Sequence, residues 1–120
     1  MAELYLYVDD ERTPIDRWPT KKDKVTIIRS YSAFKKLIES VEEAGDEIVY
    51  VSFDWHLGLD KEIGAYKTGE DCLELMLTAE ARAQLNGKTL FADDVMCNAH
   101  SSDIEACGRM IRRFFAATGK

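Results

Sequence analysis

Short apolar segments alternate with amphipathic segments along this chain, and this alternation limits the possible folds more than any other feature. Four segments have the composition of β-strands: Leu4–Val8, Val25–Arg29, Ile48–Phe53 and Val95–Ala99. The third reads IVYVSF, and such a nearly continuous apolar run is typical of a strand in a parallel sheet covered on both faces. A helix-like segment follows each of the last three strands. We therefore predict a small doubly wound α/β sandwich of three layers, with a mainly parallel sheet of about four strands.

Each of the three predicted helices has a start signal and a stop signal. The residues predicted to cap the helix starts are Ser32, Thr68 with Asp71, and Ser102 with Glu105. The residues predicted to end the helices are Gly45, Asn86 with Gly87, and Gly119. A serine or threonine followed three residues later by an acidic residue can satisfy N–H groups that a helix start leaves unpaired. The passage Glu11–Lys24 contains both prolines of the chain and is predicted to lack a regular helix.

Composition and charge exclude several classes of protein. The 120 residues suffice for one domain with its own core, over residues 1–120. A formal charge of -6 argues against a broad surface for nucleic acid or for an anionic membrane. No basic and apolar leader follows Met1, and no apolar run approaches the roughly 18 residues that span a bilayer. The three cysteines lack the spacing of a zinc site and are predicted to be reduced, so a cytoplasmic protein is expected.

Charged and polar residues stand at the predicted strand ends. Asp9 and Asp10 follow the first strand, Asp54 follows the third, and His100 and Ser101 follow the fourth. In an open α/β sheet, ligands bind outside the carboxyl ends of the strands, beside the point where strand order reverses. If the first and third strands are neighbours, the three aspartates converge at one edge of the sheet.

Three converging carboxylates need a partner of opposite charge. At about 5 Å and an effective dielectric constant near 20, each pair repels by roughly 3 kcal/mol, so the group must bind a cation or take up protons. Mg²⁺ prefers oxygen ligands and commonly bridges one or two carboxylates to a phosphate. The sequence therefore predicts a Mg²⁺ site, with Mn²⁺ as a possible substitute, formed by Asp9, Asp10 and Asp54.

Each of these residues also has a simpler interpretation. Aspartates at a strand end often only begin a turn, and a histidine there is usually just hydrogen bonded. Ser101 can serve as part of a helix cap, and Arg12 as an exposed loop charge. His56 is interpreted as a loop or cap residue rather than as a metal ligand. The matched position of Asp54 is what favours a site over a turn.

Several motifs in this order resemble the cyclic-phosphate processing receiver-domain family, a relative of response-regulator receivers. They are LYVDDERTP with the later Trp18, YVSFDWHLG, TGED and NAHSSD, and together they cover most of the chain. The resemblance implies a flavodoxin- or receiver-like fold. It also implies metal binding by Asp9 and Asp10, a phosphate-accepting or metal-binding role for Asp54, and a phosphate contact from the Ser101 hydroxyl. Arg12 and His100 match positions typical of the family.

The chain departs from the family pattern at the third strand end. The family usually reads Ser-Phe-Asp-His-Asp-Leu-Gly, so Trp55 and His56 replace a histidine and an aspartate. Asp103 stands where an asparagine is usual, and a fifth strand with the receiver lysine is not found. These departures argue against ordinary phosphorelay signalling and remove a possible metal ligand or base.

Two functions remain open from the sequence. The first is a magnesium-dependent phosphoesterase acting on a cyclic phosphate, a nucleotide or an RNA end, with catalytic residues Asp54, His100, Ser101 and Arg12. His100 would be the general acid or base, Ser101 and Arg12 would contact phosphate oxygens, and Asp54 would hold the metal or act as a nucleophile. The second is a non-catalytic receiver-like module that binds a protein partner.

Overall fold

A four-stranded parallel sheet lies at the centre of the molecule in the computed structural model, which describes residues 2–12 and 25–119. The strands among the described residues are β1 (Glu3–Val8), β2 (Val25–Ile28), β3 (Glu47–Phe53), β4 (His56–Asp60), β5 (Ala65–Thr68) and β6 (Phe91–Ala99). The helices are α1 (Tyr31–Ala44), α2 (Gly69–Leu85) and α3 (Ile104–Thr118). The sheet has the order β2-β1-β3-β6, so β1 and β3 are neighbours, which is the condition for the three aspartates to converge. The predicted α/β class with a parallel sheet of about four strands is confirmed.

The strand ends are level with one another, and this register positions the functional residues. Val8 at the end of β1 pairs with Ile28 of β2 on one side and Phe53 of β3 on the other. Phe53 in turn pairs with Ala99 of β6. The residues that follow β1, β3 and β6 therefore leave the sheet side by side.

A continuous apolar core joins the sheet to the helices. Its fully buried larger side chains include Leu6, Val8, Phe34, Ile38, Val41, Ile48, Val51, Phe53, Leu73, Met76, Met110 and Phe114. Helix α2 contacts both α1 and α3. Burial of this apolar surface is the main stabilising contribution, because each such side chain gains roughly 1.5 to 3 kcal/mol when it leaves water.

Two of the three predicted helix starts are wrong by one or two residues. Ser30, rather than Ser32, caps α1 by accepting the Ala33 N–H, because Ser32 is buried and donates both its N–H and its hydroxyl to Asp60. Asp103, rather than Ser102, caps α3 by accepting the Ala106 N–H. These differences arise because several neighbouring residues can cap a helix and tertiary contacts select among them.

The remaining helix signals are confirmed. Thr68 and Asp71 form the predicted capping box, in which each side chain accepts the backbone N–H of the other residue. Gly45 and Gly119 follow α1 and α3 in the left-handed conformation, and α2 ends at Asn86. Among residues 2–12 and 25–119, no helix combines the length and apolar character that crossing a membrane requires.

The antiparallel hairpin β4–β5 was not expected from the sequence. It follows β3 directly, and Leu59 of β4 pairs with Tyr66 of β5. The buried carboxylate of Asp60 fixes it, accepting the backbone N–H and hydroxyl of Ser32 on α1 and the N–H of Glu62 in the turn. The passage predicted to lack a regular helix spans residues 11–24. Its positions 13–24, which include Trp18, lie outside the described residues.

Candidate functional site

Three of the predicted site residues leave the sheet in one row. Backbone hydrogen bonds continue the sheet pattern by one residue, from Asp9 N to Ile28 O (3.0 Å), from Asp54 N to Val8 O (2.8 Å), and from His100 N to Phe53 O (3.0 Å). The side chains that follow β1, β3 and β6 are therefore held by the rigid sheet rather than by loops alone. Asp9 and Asp54, two of the three aspartates expected to converge if β1 and β3 are neighbours, therefore lie side by side.

Asp9, Asp10 and Asp54 form an acidic cluster in which one carboxylate oxygen from each residue lies within 4.8 Å of the others. Asp9 is fully buried, Asp54 is 4% exposed, and Asp10 is more open. The cluster lies in a cleft of about 520 Å³, whose other lining residues are Glu11, Arg12, His56, Gly58 and Ser102. The predicted metal-binding residues therefore lie together in one accessible cleft.

Asp9 is the best compensated carboxylate of the acidic cluster. Its Oδ1 accepts the backbone N–H groups of Glu11 (2.9 Å) and Arg12 (2.8 Å), while its Oδ2 lies 3.1 Å from His100 Nε2 and 3.3 Å from Arg12 Nε. Burial acts to raise the pKa of Asp9, but these N–H groups and the nearby His100 and Arg12 outweigh it and lower the pKa below its ordinary value. A charged residue can therefore end a buried strand here.

Asp10 has the opposite electrostatic environment. Partial burial, followed by the negative charges of Glu11, Asp9 and Asp54, raises its pKa above the ordinary value, although its own backbone N–H acts in the other direction. Gly58 faces this carboxylate with φ +70°, and a Cβ on Gly58 would lie 3.7 Å from Asp10 Oδ2. The surroundings of Asp10 therefore disfavour its charge, in contrast to those of Asp9.

Asp54 is fixed through its backbone and both carboxylate oxygens. Its Oδ1 accepts the His56 N–H at 3.3 Å, and its Oδ2 accepts a longer bond from Arg12 Nη2 at 3.4 Å. The first residue of α2, Gly69, lies so close behind that an added Cβ would be 2.0 Å from the Asp54 carbonyl oxygen. Only glycine allows α2 to approach Asp54 in this way.

Arg12 bridges the two buried carboxylates with a half-exposed side chain. Its guanidinium contacts Asp9 at 3.3 Å and Asp54 at 3.4 Å, and 57% of the side chain is exposed. The charge of Asp9, followed by that of Asp54, raises the pKa of Arg12. Arg29 supports this loop, because its guanidinium donates to the backbone carbonyls of Asp9 and Arg12. Arg12 is thus a cation within the cleft that retains access to solvent.

His100 is enclosed on three sides. Its ring stacks on Tyr7 with centroids 4.2 Å apart and an interplanar angle of 8°. Its Nδ1 lies 2.7 Å from the Ser52 hydroxyl, and its Nε2 lies 3.1 Å from Asp9 Oδ2. Burial lowers the pKa of His100, although the Asp9 charge acts in the other direction, so the neutral ring is favoured near pH 7.

Comparison of the sequence with protein-family models identifies the family of this domain. The model of the cyclic-phosphate processing receiver domain matches residues 4–115. The chain belongs to this family. Neither a curated protein nor a solved structure matches it. The domain is thus a receiver domain of a cyclic-phosphate processing family, with an acidic cluster that could hold a metal ion.

The two serines after His100 differ in their access to the cleft of this receiver domain. Ser102 lines the cleft, whereas the Ser101 hydroxyl accepts the Asp103 N–H at 3.2 Å. His56, interpreted from the sequence as a loop residue, is exposed in β4 and lines the cleft. Sequence reasoning gave no role to Ser52, although a serine inside the apolar run IVYVSF is a signal that could have marked it.

A second polar cluster lies behind Asp54. Glu70, in the first turn of α2, accepts hydrogen bonds from Arg109 (2.8–3.1 Å), Arg113 (3.1 Å) and Trp55 Nε1 (3.3 Å). These bonds, chiefly those of Arg109, lower the pKa of Glu70 to about 2. The cluster joins α3 to the start of α2 and to the residue that follows Asp54.

Proposed function

We propose that this receiver domain binds a divalent cation, Mg²⁺ or Mn²⁺, at Asp9, Asp10 and Asp54 and uses the site to bind and hydrolyse a cyclic phosphate ester. The observation that carries the proposal is the convergence of three carboxylates within 4.8 Å inside a cleft. Each pair at that distance repels by roughly 3 kcal/mol at an effective dielectric constant near 20. A phosphate is itself an anion, so the cleft would repel it without a cation.

The donor set fits the proposed cation. All three ligands are carboxylate oxygens, which Mg²⁺ and Mn²⁺ prefer. One oxygen from each carboxylate lies within 4.8 Å of the others, so the three side chains would hold the cation between them. His56, in the place of the family aspartate, offers a nitrogen instead of an oxygen, which favours Mn²⁺ relative to Mg²⁺.

Arg12 is proposed to exchange partners when the cleft is filled. Its contacts with Asp9 and Asp54 are long, at 3.3 and 3.4 Å, and its side chain is half exposed. A cation at the carboxylates would take over the charge compensation that Arg12 now provides. The guanidinium would then be available to donate two N–H groups to a phosphate oxygen pair, the geometry for which arginine is best suited.

Hydrolysis of the ester adds the oxygen of water to phosphorus, breaks one ring P–O bond and returns a proton to the released oxygen. When bound, the cation would polarise the phosphoryl group and lower the pKa of a water molecule. The phosphate contact expected from Ser101 is open to its hydroxyl, which accepts one N–H and keeps its own proton, but Ser102 is the serine that lines the cleft. His100 is expected from the sequence to be the general acid or base, but its Nε2 points to Asp9, so we propose that it acts on the site through Asp9.

A second candidate function rests on Trp55 and His56. These residues replace the histidine and aspartate that the family usually carries, and His56 lines the cleft. A site with one acidic residue fewer would hold a cation and a phosphate group without turnover. In that case the domain would be a binding module for a phosphorylated or unmodified protein partner.

Thermal unfolding with and without divalent cation tests the cation site. A cation that binds only the folded state at one hundred times its Kd stabilises by about 2.7 kcal/mol, which raises Tm by several degrees. Asp54→Asn should abolish most of this shift, whereas Asp94→Asn, the same change at an exposed position of β6, should retain it. An unchanged Tm for the wild type over millimolar Mg²⁺ and Mn²⁺ would refute the proposed cation site.

Turnover is measured separately on RNA ends with terminal cyclic phosphates, on cyclic mononucleotides and on small phosphodonors. Hydrolysis of one class that depends on the cation and on Asp54 supports the esterase. Transfer of phosphate to Asp54 would make that carboxylate a nucleophile instead. Binding of cation and phosphate without either reaction supports the binding module.

A further inference from the structure

Ser52 is a polar residue in the buried part of β3, and the cation site as proposed gives it no task. Its side chain is almost completely buried, with 2% of the residue exposed. In the sheet it pairs with Tyr7 of β1 and Asn98 of β6. The Ser52 hydroxyl lies 2.7 Å from His100 Nδ1, a short hydrogen bond between residues 48 positions apart. A buried hydroxyl at this distance fixes the ring nitrogen that it faces.

The protons of this arrangement can be assigned from chemistry. A neutral imidazole has one N–H donor and one nitrogen lone pair, whereas an ionised carboxylate can only accept. Asp9 Oδ2 faces His100 Nε2 at 3.1 Å, so Nε2 must carry the hydrogen. Nδ1 then has the lone pair, and the Ser52 hydroxyl is the donor. The resulting order of hydrogen bonds runs from Ser52 through His100 to Asp9.

We propose that Ser52 is a positioning residue: its hydroxyl donates to His100 Nδ1 and so holds the ring in the orientation in which Nε2–H donates to Asp9 Oδ2 and orients that carboxylate in the acidic cluster. Tyr7 sets the plane of the ring by stacking on it at 4.2 Å. Without the Ser52 donor, Nδ1 is a buried acceptor left unpaired, so the ring can turn toward another donor. The 3.1 Å contact between Nε2 and Asp9 would then lengthen, and the carboxylate would lose the N–H that orients it.

The expected effect of Ser52 on cation affinity rests on the proposed function, in which the acidic cluster binds a cation. Residues that hydrogen-bond a metal ligand from behind typically change metal affinity by 10- to 100-fold when they are replaced. Ser52 lies one step further from the cation than His100. We therefore expect loss of the Ser52 hydroxyl to weaken Mn²⁺ binding by roughly tenfold.

Nitrogen NMR of the histidine side chains measures the tautomer directly. The chain contains two histidines, so a His56→Gln variant leaves one imidazole and assigns the signal of His100 without ambiguity. At pH 8, the wild-type protein should show a protonated Nε2 and an unprotonated Nδ1 for His100. A proton found mainly on Nδ1 would overturn the proposal even if no Ser52 variant folds.

Ser52→Thr and Ser52→Val form a matched pair, because the two side chains have the same shape and differ only by the hydroxyl. Both variants should keep the Nε2–H tautomer, because Asp9 requires it. The unprotonated Nδ1 of the Thr variant should keep the chemical shift of a hydrogen-bonded nitrogen, whereas that of the Val variant should move to the value of an unbonded nitrogen, with roughly tenfold weaker Mn²⁺ binding. Equal Nδ1 chemical shifts in the two variants would overturn the positioning role. If the chemical shifts differ as expected but wild-type protein binds no Mn²⁺, the assignment of Ser52 stands and the proposed function fails.

Discussion

Two groups of acidic residues in this receiver domain differ in whether each carboxylate lies among hydrogen-bond donors alone or close to other carboxylates. Glu80 stands for the first group: it is buried and accepts hydrogen bonds from the Thr89 hydroxyl (2.6 Å), the Leu90 N–H (2.7 Å) and the Gln84 amide (2.9 Å). Asp60 and Glu70 are held in the same way by several donors. Each of these side chains joins two parts of the fold.

The acidic cluster at the strand ends is the second group. Asp9, Asp10 and Asp54 place three negative charges within 4.8 Å, and Arg12 compensates for only part of them. A fold gains nothing from such a surplus, because like charges at this distance repel each other. This difference between the two groups separates the acidic residues that stabilise the fold from those that are available to a ligand. The following predictions test that separation.

The largest change in stability is expected for Glu80→Ala. The substitution leaves the buried Leu90 N–H and the Thr89 hydroxyl without their acceptor, which costs about 2 kcal/mol of unfolding free energy. Urea unfolding followed by circular dichroism measures this loss. Glu80→Gln keeps one acceptor oxygen and should lose less, so equal losses in the two variants would contradict the role of the hydrogen bonds.

A smaller change, which depends on pH, is expected for Glu70→Gln. The pKa of Glu70 falls from 4.5 to about 2 on folding, so the ionised side chain stabilises the fold above pH 4.5, and this contribution is lost as pH falls toward 2. The variant should be less stable than the wild type at pH 7 by about 1 kcal/mol. Urea unfolding at pH 7 and at pH 2.5 should show the difference shrinking, and a difference independent of pH would argue against the ion pairs.

Asp10→Asn should change stability in the opposite direction. Because partial burial and, after it, the neighbouring acids raise the pKa of Asp10, removing its charge should stabilise the protein by roughly 0.5 kcal/mol without divalent cation. The same variant should lose most of the increase in Tm that Mg²⁺ gives to the wild type. If Asp10→Asn proves destabilising and keeps its response to Mg²⁺, Asp10 belongs with the structural carboxylates.

The smallest effect on stability is expected for His56→Asp, within about 0.5 kcal/mol, because His56 is exposed. The variant restores the family aspartate and adds an oxygen donor to the cleft, so Mg²⁺ affinity should rise by roughly tenfold. Calorimetric titration measures the affinity, and His56→Asn adds a donor oxygen without a charge as the control. Unchanged Mg²⁺ affinity in the Asp variant would place His56 outside the cation site.

Features that depend on neighbouring residues or on strand order could be predicted from the sequence. The capping box of Thr68 and Asp71 is local, and Asp9 and Asp54 meet because the ends of neighbouring parallel strands must lie together. The hairpin β4–β5 was missed because Asp60 fixes it through Ser32, 28 residues away. Contacts of this kind, like that of Ser52 with His100, become visible only when the fold brings distant residues together.

The close approach of Gly69 to Asp54 has a mechanical consequence. The Asp54 carbonyl and the first turn of α2 are in direct backbone contact, so a shift of the Asp54 backbone toward the helix would have to displace it. Helix α2 has 17 residues and would extend such a displacement over about 25 Å. Leu85 at its far end is 87% exposed, and a fluorescent probe attached there would report occupancy of the cleft at a distance.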